Sequence, residues 1–305
     1  MADDGEIARR LLAAGLLQRP DLAPEGPPRL GPFEVLRVVA RGARAEVLLA
    51  VAPPGGPVAL KVPAGARRAG EDEAFAREAA ALTRCAGPGV PRLVDAGRAD
   101  GRPYLATEFV GARTLAGGGL TLRELVAAVE GAARACERVH GAGLVHRAIA
   151  PEHVLLGGAS AVLTGLGRSV ATGERSRPDD LGGSTAVRLA STAPELLAGE
   201  PIDPRADVYA LGALLHRGLT GELPTAGARG LPDPAPFTFM GDGQAPPAPL
   251  LAAARRALAR RPDERFAGAG ELACALRAWL DQTPVAGAST AQSAWRALRA
   301  RLGGP

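Results

Sequence analysis

The hydrophobic pattern of this chain changes period once, near residue 110, and that change narrows what it can fold into. Before it, short apolar and β-branched runs lie at Phe33–Val39, Glu46–Val51, Val58–Val62, Arg92–Ala96 and Tyr104–Val110. They are punctuated by turn residues such as Pro53-Pro54-Gly55-Gly56, and runs of this kind predict strands. One helical period interrupts them, over Glu71–Cys85, with Phe75, Ala79 and Leu82 on a single face. The expectation is a five-stranded antiparallel sheet with one main helix. Beyond residue 110 the spacing is helical. Thr121 and Glu124 form a capping box that opens a helix carrying Leu125, Val126, Val129, Ala133, Cys136 and His140 on one face. Asp203 and Pro204 supply an N-cap and a favoured first position before Val208–Leu215, which is apolar nearly all round and hence buried. Helices are also predicted over Leu250–Ala259 and Gly270–Leu280, separated from the preceding one by an irregular, proline-rich 224–249. The class is α+β, with a strand-rich part first and a larger helical part second.

Composition excludes several roles. The net charge of +4 is spread as arginines among acids, with no basic block or interleaved aromatics, so a nucleic-acid partner is not expected. Cys85, Cys136 and Cys274 are far apart and form no C-x-x-C pair, which fits free thiols in a reducing compartment. The acidic start lacks signal-peptide character and no apolar run approaches about 18 residues, so a cytoplasmic protein without a membrane span is expected. Residues 1–30 read as a short amphipathic helix and a proline-rich linker. Residues 282–305 read as a second linker and a short basic helix with Trp295, Leu298 and Leu302. Each end could pack on its own domain or dock on a partner.

The stretch that follows the first long helix reads His146-Arg147-Ala148-Ile149-Ala150-Pro151-Glu152-His153-Val154-Leu155-Leu156. It resembles the catalytic loop of bacterial, eukaryotic-like serine/threonine protein kinases, H-R-D-x-K-x-x-N before apolar residues. The resemblance extends over about residues 31–281. It implies a bilobal protein-kinase-like fold, with a small sheet-bearing lobe over about 31–110 and a helical lobe over about 111–281. It also implies that the chemistry has gone from this frame. Ala148 stands at the family's catalytic aspartate, Ala150 at its lysine and His153 at its metal-binding asparagine. Gly165-Leu166-Gly167 stands at D-F-G, so Gly165 replaces the Mg²⁺-binding aspartate. Between Arg138 and Gly173 the one carboxylate is Glu152, so no shift of alignment restores the missing groups. His153 is read as a loop-anchoring donor in preference to a metal ligand, and no metal site is expected.

Other landmarks survive in part. Val39-Ala40-Arg41-Gly42-Ala43-Arg44-Ala45-Glu46-Val47 matches the glycine-rich loop with Gly42 as its one remaining glycine, so weakened phosphate contact is expected. Val58-Ala59-Leu60-Lys61 resembles V-A-I-K, with Glu78 as the helix partner. Of 36 basic residues Lys61 is the sole lysine, which argues for a specific role there, in nucleotide binding or in structural pairing with Glu78. Thr107, Glu108 and Val110 match the gatekeeper and hinge, and Val47, Ala59 and Leu155 would sandwich an adenine; apolar residues there suit a plain core equally. His146 is expected as a core member, and Glu195 of Ala193-Pro194-Glu195, Asp207 and Arg265 as structural residues, with Glu195 paired to Arg265. In 168–192, matching the activation loop, several Ser and Thr could be phosphorylated opposite Arg147 or be ordinary loop residues.

What the resemblance implies is a pseudokinase: an inactive kinase homologue acting as a scaffold or allosteric regulator on another protein, be that an active kinase, a substrate or a signalling partner. Any nucleotide, ATP in the family, would bind weakly and without Mg²⁺, with Arg41 or Arg44 standing in for metal charge. The alternative is residual phosphotransfer with unusual groups, such as Glu152 as base.

Overall fold

A computed structural model describes residues 28–157, 160–175, 191–221, 224 and 245–282. The expected N-terminal helix and most of its linker, most of the Ser/Thr-rich loop, most of the proline-rich segment and the C-terminal basic helix lie outside the described residues.

The first lobe is an antiparallel sheet of six strands: β1 (Arg29–Leu30), β2 (Phe33–Arg41), β3 (Ala45–Ala52), β4 (Gly56–Pro63), β5 (Leu93–Ala99) and β6 (Arg102–Glu108), in the order β1-β2-β3-β4-β6-β5. The sixth strand corrects the expected five. It is β1, a two-residue pairing of Arg29 and Leu30 with Glu34 and Phe33, in the last residues of the expected linker. Two residues beside prolines carry no readable period, which is why the sequence did not announce it. Helix α1 (Glu71–Arg84) follows β4 and begins with three acids, Glu71, Asp72 and Glu73, where the helix N-terminus favours negative charge.

Directly opposed residues of an antiparallel pair share a face. Val47 opposes Lys61, Leu49 opposes Ala59, Ala59 opposes Thr107 and Lys61 opposes Leu105, so these six line one side of the sheet. Leu105 belongs to the apolar core that runs through α1 into the second lobe, so this side faces α1 and that lobe. Leu60, Val58, Ala50 and Ala106 line the other side and close a smaller core with Phe33 and Tyr104.

The second lobe is built around α2 (Leu122–Gly141), which starts at the predicted capping box: Thr121 accepts from the Glu124 N–H, and the Glu124 carboxylate accepts from the Thr121 N–H. After α2 come β7 (Leu144–Val145), the hairpin β8 (Val154–Gly157) and β9 (Ser160–Leu163), and β10 (Val170–Ala171), which pairs with β7. Helices α3 (Pro194–Leu197), α4 (Arg205–Thr220), α5 (Ala248–Ala257) and α6 (Ala269–Gln282) complete it. Pro204 precedes α4 as its N-cap residue, one position earlier than expected, and the Asp203 carboxylate accepts from the Arg205 N–H. Helix α4 is buried along nearly its whole length, as its all-round apolarity required. Among the described residues no helix is long and apolar enough to cross a membrane.

Candidate functional site

Lys61 and Glu78 meet at the junction of sheet and helix. Lys61 Nζ lies 2.5 Å from Glu78 Oε2 and 5.6 Å from the centre of the Phe75 ring. Glu78 is buried, and it leans on the turn that carries Gly167, where a Cβ would stand 2.5 Å from its Oε2. The side chain missing at 167 is what lets α1 sit close enough for the pair to form.

The loop from His146 to His153 is held from below by Asp207 of α4. One carboxylate oxygen accepts from the His146 N–H at 2.7 Å, the other from the Arg147 N–H at 2.8 Å. His140 Nε2 donates to Asp207 at 2.9 Å, and the Cys136 thiol lies 3.7 Å away. These bonds hold Arg147 at a φ of 61°, a conformation a non-glycine residue keeps only where its surroundings fix it. They also hold the Asp207 carboxyl below the usual carboxylate range against the opposing effect of burial. His146 is fully buried. Its Nε2 donates to the Thr164 carbonyl at 3.0 Å and its Nδ1 accepts from the Ala148 N–H at 3.2 Å. That pattern needs the neutral ring, and burial lowers its pKa to about 4. The expected core role of His146 and the anchoring role of Asp207 therefore have a defined geometry. The partners His140 and Cys136 were placed on the correct helix face, but nothing in the sequence tied them to Asp207.

At the floor of the cleft the four altered positions come together. Ala148 and Ala150 present no acid, base or cation. His153 Nδ1 donates to the Ala148 carbonyl at 2.6 Å, which is the loop-anchoring bond expected of it. The His153 ring then lies across Gly165, whose φ is 85°; a Cβ there would stand 2.9 Å from His153 Cδ2 and Cγ. The ring fills the space into which a side chain at 165 would project. Mg²⁺ takes hard oxygen ligands in octahedral geometry, and positions 148, 150, 153 and 165 offer no side-chain oxygen. These residues do not fit the ion. Among the described residues, one group of His, Cys and acidic side chains is close enough to share a metal: Cys136, His140 and Asp207. Asp207 is already committed to the loop, and burial pushes the Cys136 thiol well up, away from the thiolate a metal requires.

The loop matched to the family's glycine-rich loop is a tight turn between β2 and β3. Gly42 N–H donates to the Ala45 carbonyl at 2.9 Å and closes the turn; a Cβ on Gly42 would lie 3.0 Å from that oxygen, a tight contact. The tip is tied toward α1: Arg68 donates to the Ala43 carbonyl at 3.1 Å, and the Ala64 N–H to the Arg44 carbonyl at 3.0 Å. Arg68 was not singled out from sequence. Arg41 is largely exposed and turned toward Glu46 at 3.6 Å. Val39 sits at an irregularity in the β2–β3 register, half-buried. In the hinge, the Glu108 side chain accepts from the Arg92 N–H at 3.1 Å and so points to the neighbouring strand. The Val110 carbonyl packs on Gly157, where any Cβ would stand 2.2 Å from it. Leu155 pairs with Val162 in the hairpin beneath the hinge.

Glu195 and Arg265 form the expected pair. It is bidentate, at 2.6 and 2.7 Å, and the remaining guanidinium donors reach the carbonyls of Ala259, Arg205 and Arg260. The Arg265 side chain is fully excluded from solvent, so its full hydrogen bonding is what makes the buried charge tolerable.

Comparison with known proteins agrees with this architecture. Residues 33–233 match the family described as protein kinase domain. The serine/threonine-protein kinase PknJ of Mycobacterium tuberculosis is 33% identical over 226 residues, covering 68% of this chain and 38% of that protein. PknD of the same species is 32% identical over 273 residues, covering 84% of this chain and 40% of that protein. The chain thus spans roughly two fifths of the length of these relatives. The crystal structure of the M. tuberculosis PknI kinase domain superposes with a TM-score of 0.59 at 27% identity, covering 84% of this chain and 99% of that one. The chain belongs to the protein kinase family, with bacterial serine/threonine kinases as its relatives and the bilobal kinase fold as its structure.

Proposed function

We propose that this kinase domain transfers no phosphate and acts by binding, as a scaffold or allosteric regulator of another protein. The observation that carries the reading is the His153 ring lying across Gly165, where a Cβ would come within 2.9 Å of it. Phosphoryl transfer depends on positioning and on charge placed against the moving group. Here the base position is Ala148, the cationic position is Ala150, and the two metal positions hold an imidazole and a glycine packed on each other. The parts that shape a kinase domain are intact by contrast: Lys61–Glu78, the Asp207 anchor and Glu195–Arg265. A domain that keeps its form without the reacting groups is suited to presenting a surface. Nucleotide, if bound, is ATP held weakly and without Mg²⁺, with Lys61 as its cation.

Two measurements test this. Incubation with γ-labelled ATP and Mg²⁺ or Mn²⁺ is expected to give no label that depends on Lys61; incorporation that disappears in Lys61→Ala overturns the proposal. Thermal unfolding with millimolar ATP is expected to shift equally in EDTA and in Mg²⁺, since stabilisation follows ligand affinity alone. A larger shift with Mg²⁺ refutes the metal-free reading, and no shift in either condition removes nucleotide binding.

A further inference from the structure

Behind the cleft, where α1 ends and the last turns of α2 pass beneath it, lies an open hollow of about 440 Å³ lined by Arg84, Ala86, Arg134, Glu137, Arg138, Gly141 and Ala142. Its three arginines are exposed and approach from two helices. Arg134 is paired with the buried Glu130, which also holds Arg277 at 3.0 Å. Glu137 is turned away to the start of α6, where it accepts from the Gly270 N–H at 2.8 Å. Arg84 and Arg138 differ from these. Each has one hydrogen bond, Arg84 to the Ala142 carbonyl at 2.5 Å and Arg138 to the Pro88 carbonyl at 3.3 Å. No carboxylate pairs with either among the described residues.

Three guanidinium groups and one carboxylate line the hollow, and Glu130 outside it is shared between Arg134 and Arg277, so counting Glu130 and Arg277 as well leaves an excess of two positive charges. The C-termini of α1 and α2 end here and contribute about half a negative charge each, which still leaves a positive hollow. Arg84 thus caps the end of α2 and Arg138 holds the loop after α1, each with one N–H, and a guanidinium has five. The Arg138 group lies flat over Gly87, where a Cβ would come within 2.6 Å of its Nη1, so the backbone has made room for it. Arginine forks that keep spare donors in one concave site match the oxygens of a phosphate better than a single carboxylate does, in geometry and in charge.

We propose that this hollow is a docking site for a phosphorylated serine or threonine side chain of a protein partner, read by Arg84 and Arg138. The proposal does not depend on whether the cleft transfers phosphate. It identifies a second surface, at the C-terminal end of α1 and apart from the Lys61–Glu78 pair, at which a partner's phosphorylation state is sensed.

The test is fluorescence anisotropy at fixed physiological ionic strength with an otherwise neutral peptide carrying one phosphoserine. The unphosphorylated peptide serves as control and inorganic phosphate as competitor. Saturable binding of the phosphopeptide is expected, weakened by about ten-fold or more in Arg84→Ala/Arg138→Ala. Arg67→Ala/Arg261→Ala, which removes the same charge elsewhere, should leave affinity within about two-fold, since screened surface charges far from the site act weakly. Equal binding of both peptides, equal loss in the two double variants, or inorganic phosphate binding as tightly as the phosphopeptide overturns the proposal. Should the alanine pair fail to fold, Arg84→Lys/Arg138→Lys keeps both charges and loses the planar forks; an unchanged affinity there overturns it equally.

Discussion

Substituting Gly165 by aspartate tests the packing of the cleft floor, because two separate costs fall on one residue. The backbone there has φ of 85°, in the left-handed region, and an L side chain in it costs about 1 kcal/mol. The new Cβ also stands 2.9 Å from His153 Cδ2, against a ring held by its 2.6 Å bond to the Ala148 carbonyl. Displacing a packed group of this kind costs about 1–3 kcal/mol. Gly165→Asp should therefore destabilise the domain by about 2–4 kcal/mol. His153→Asn alone loses the ring contact and the anchoring bond, for about 1–2 kcal/mol. In the double variant the ring is gone and the overpacking with it, so the two changes should combine with a favourable coupling of about 1–3 kcal/mol. Urea denaturation of the four proteins measures this, and thermal unfolding should show the same ranking at about 2–4 °C per kcal/mol. Additivity within about 0.5 kcal/mol refutes the steric argument. A second readout comes from the ligand. The double variant regains two oxygen donors at the metal positions and should be stabilised more by ATP with Mg²⁺ than by ATP with EDTA, which Gly165→Asp alone should not show.

Arg265→Met leaves the buried Glu195 carboxylate without its partner and should cost about 3–5 kcal/mol by denaturant unfolding, with much of it recovered in Glu195→Leu/Arg265→Met; a single variant within about 1 kcal/mol of wild type contradicts the pairing. His146 gives a pH signature. Its pKa falls from 6.5 to about 4 in the fold, so between those values the unfolded chain takes up a proton that the folded one does not. Stability from this group is full above pH 6.5 and is lost as pH falls to about 4, by about 3 kcal/mol at most. His146→Gln should flatten that part of the stability profile, and an unchanged slope shows that other groups produce it.

Element types were legible where the chemistry is local. The capping box at Thr121 and the all-round apolarity of 208–215 place two helices by bonds made within a turn or two. Helix α4 runs past the predicted span to Thr220, and Arg217 in that last turn, which as a polar letter breaks the apolar pattern, is buried in the structure. Loss of the reacting groups at 148, 150, 153 and 165 could be read from the letters alone. The consequences of that loss could not. The bond from Arg68 to Ala43 spans 25 residues, and that from His146 N–H to Asp207 spans 61, so no window of sequence contains both ends. Gly42 shows the same limit from the other direction: as a letter it is a remnant of a phosphate loop, and in place its N–H closes the turn on the Ala45 carbonyl, which a Cβ would crowd.

His153 and Gly165 are better regarded as one change than as two. An imidazole at 153 with a side chain at 165 collides, and a glycine at 165 without the ring leaves the floor of the cleft unpacked. Each residue is compatible with the fold because of the other, and together they replace two oxygen ligands by one apolar contact and one hydrogen bond. The same substitution of roles does not occur at Asp207. Its carboxylate takes up two backbone N–H groups and His140 in a site closed to water, so its loss would leave three buried donors unpaired. The groups that face a substrate in this family could be emptied without disturbing the fold, while the groups that hold the loop could not. A kinase frame can therefore keep its Lys61–Glu78 pair and its Asp207 anchor while the positions matched to the family's metal ligands hold an imidazole packed on a glycine.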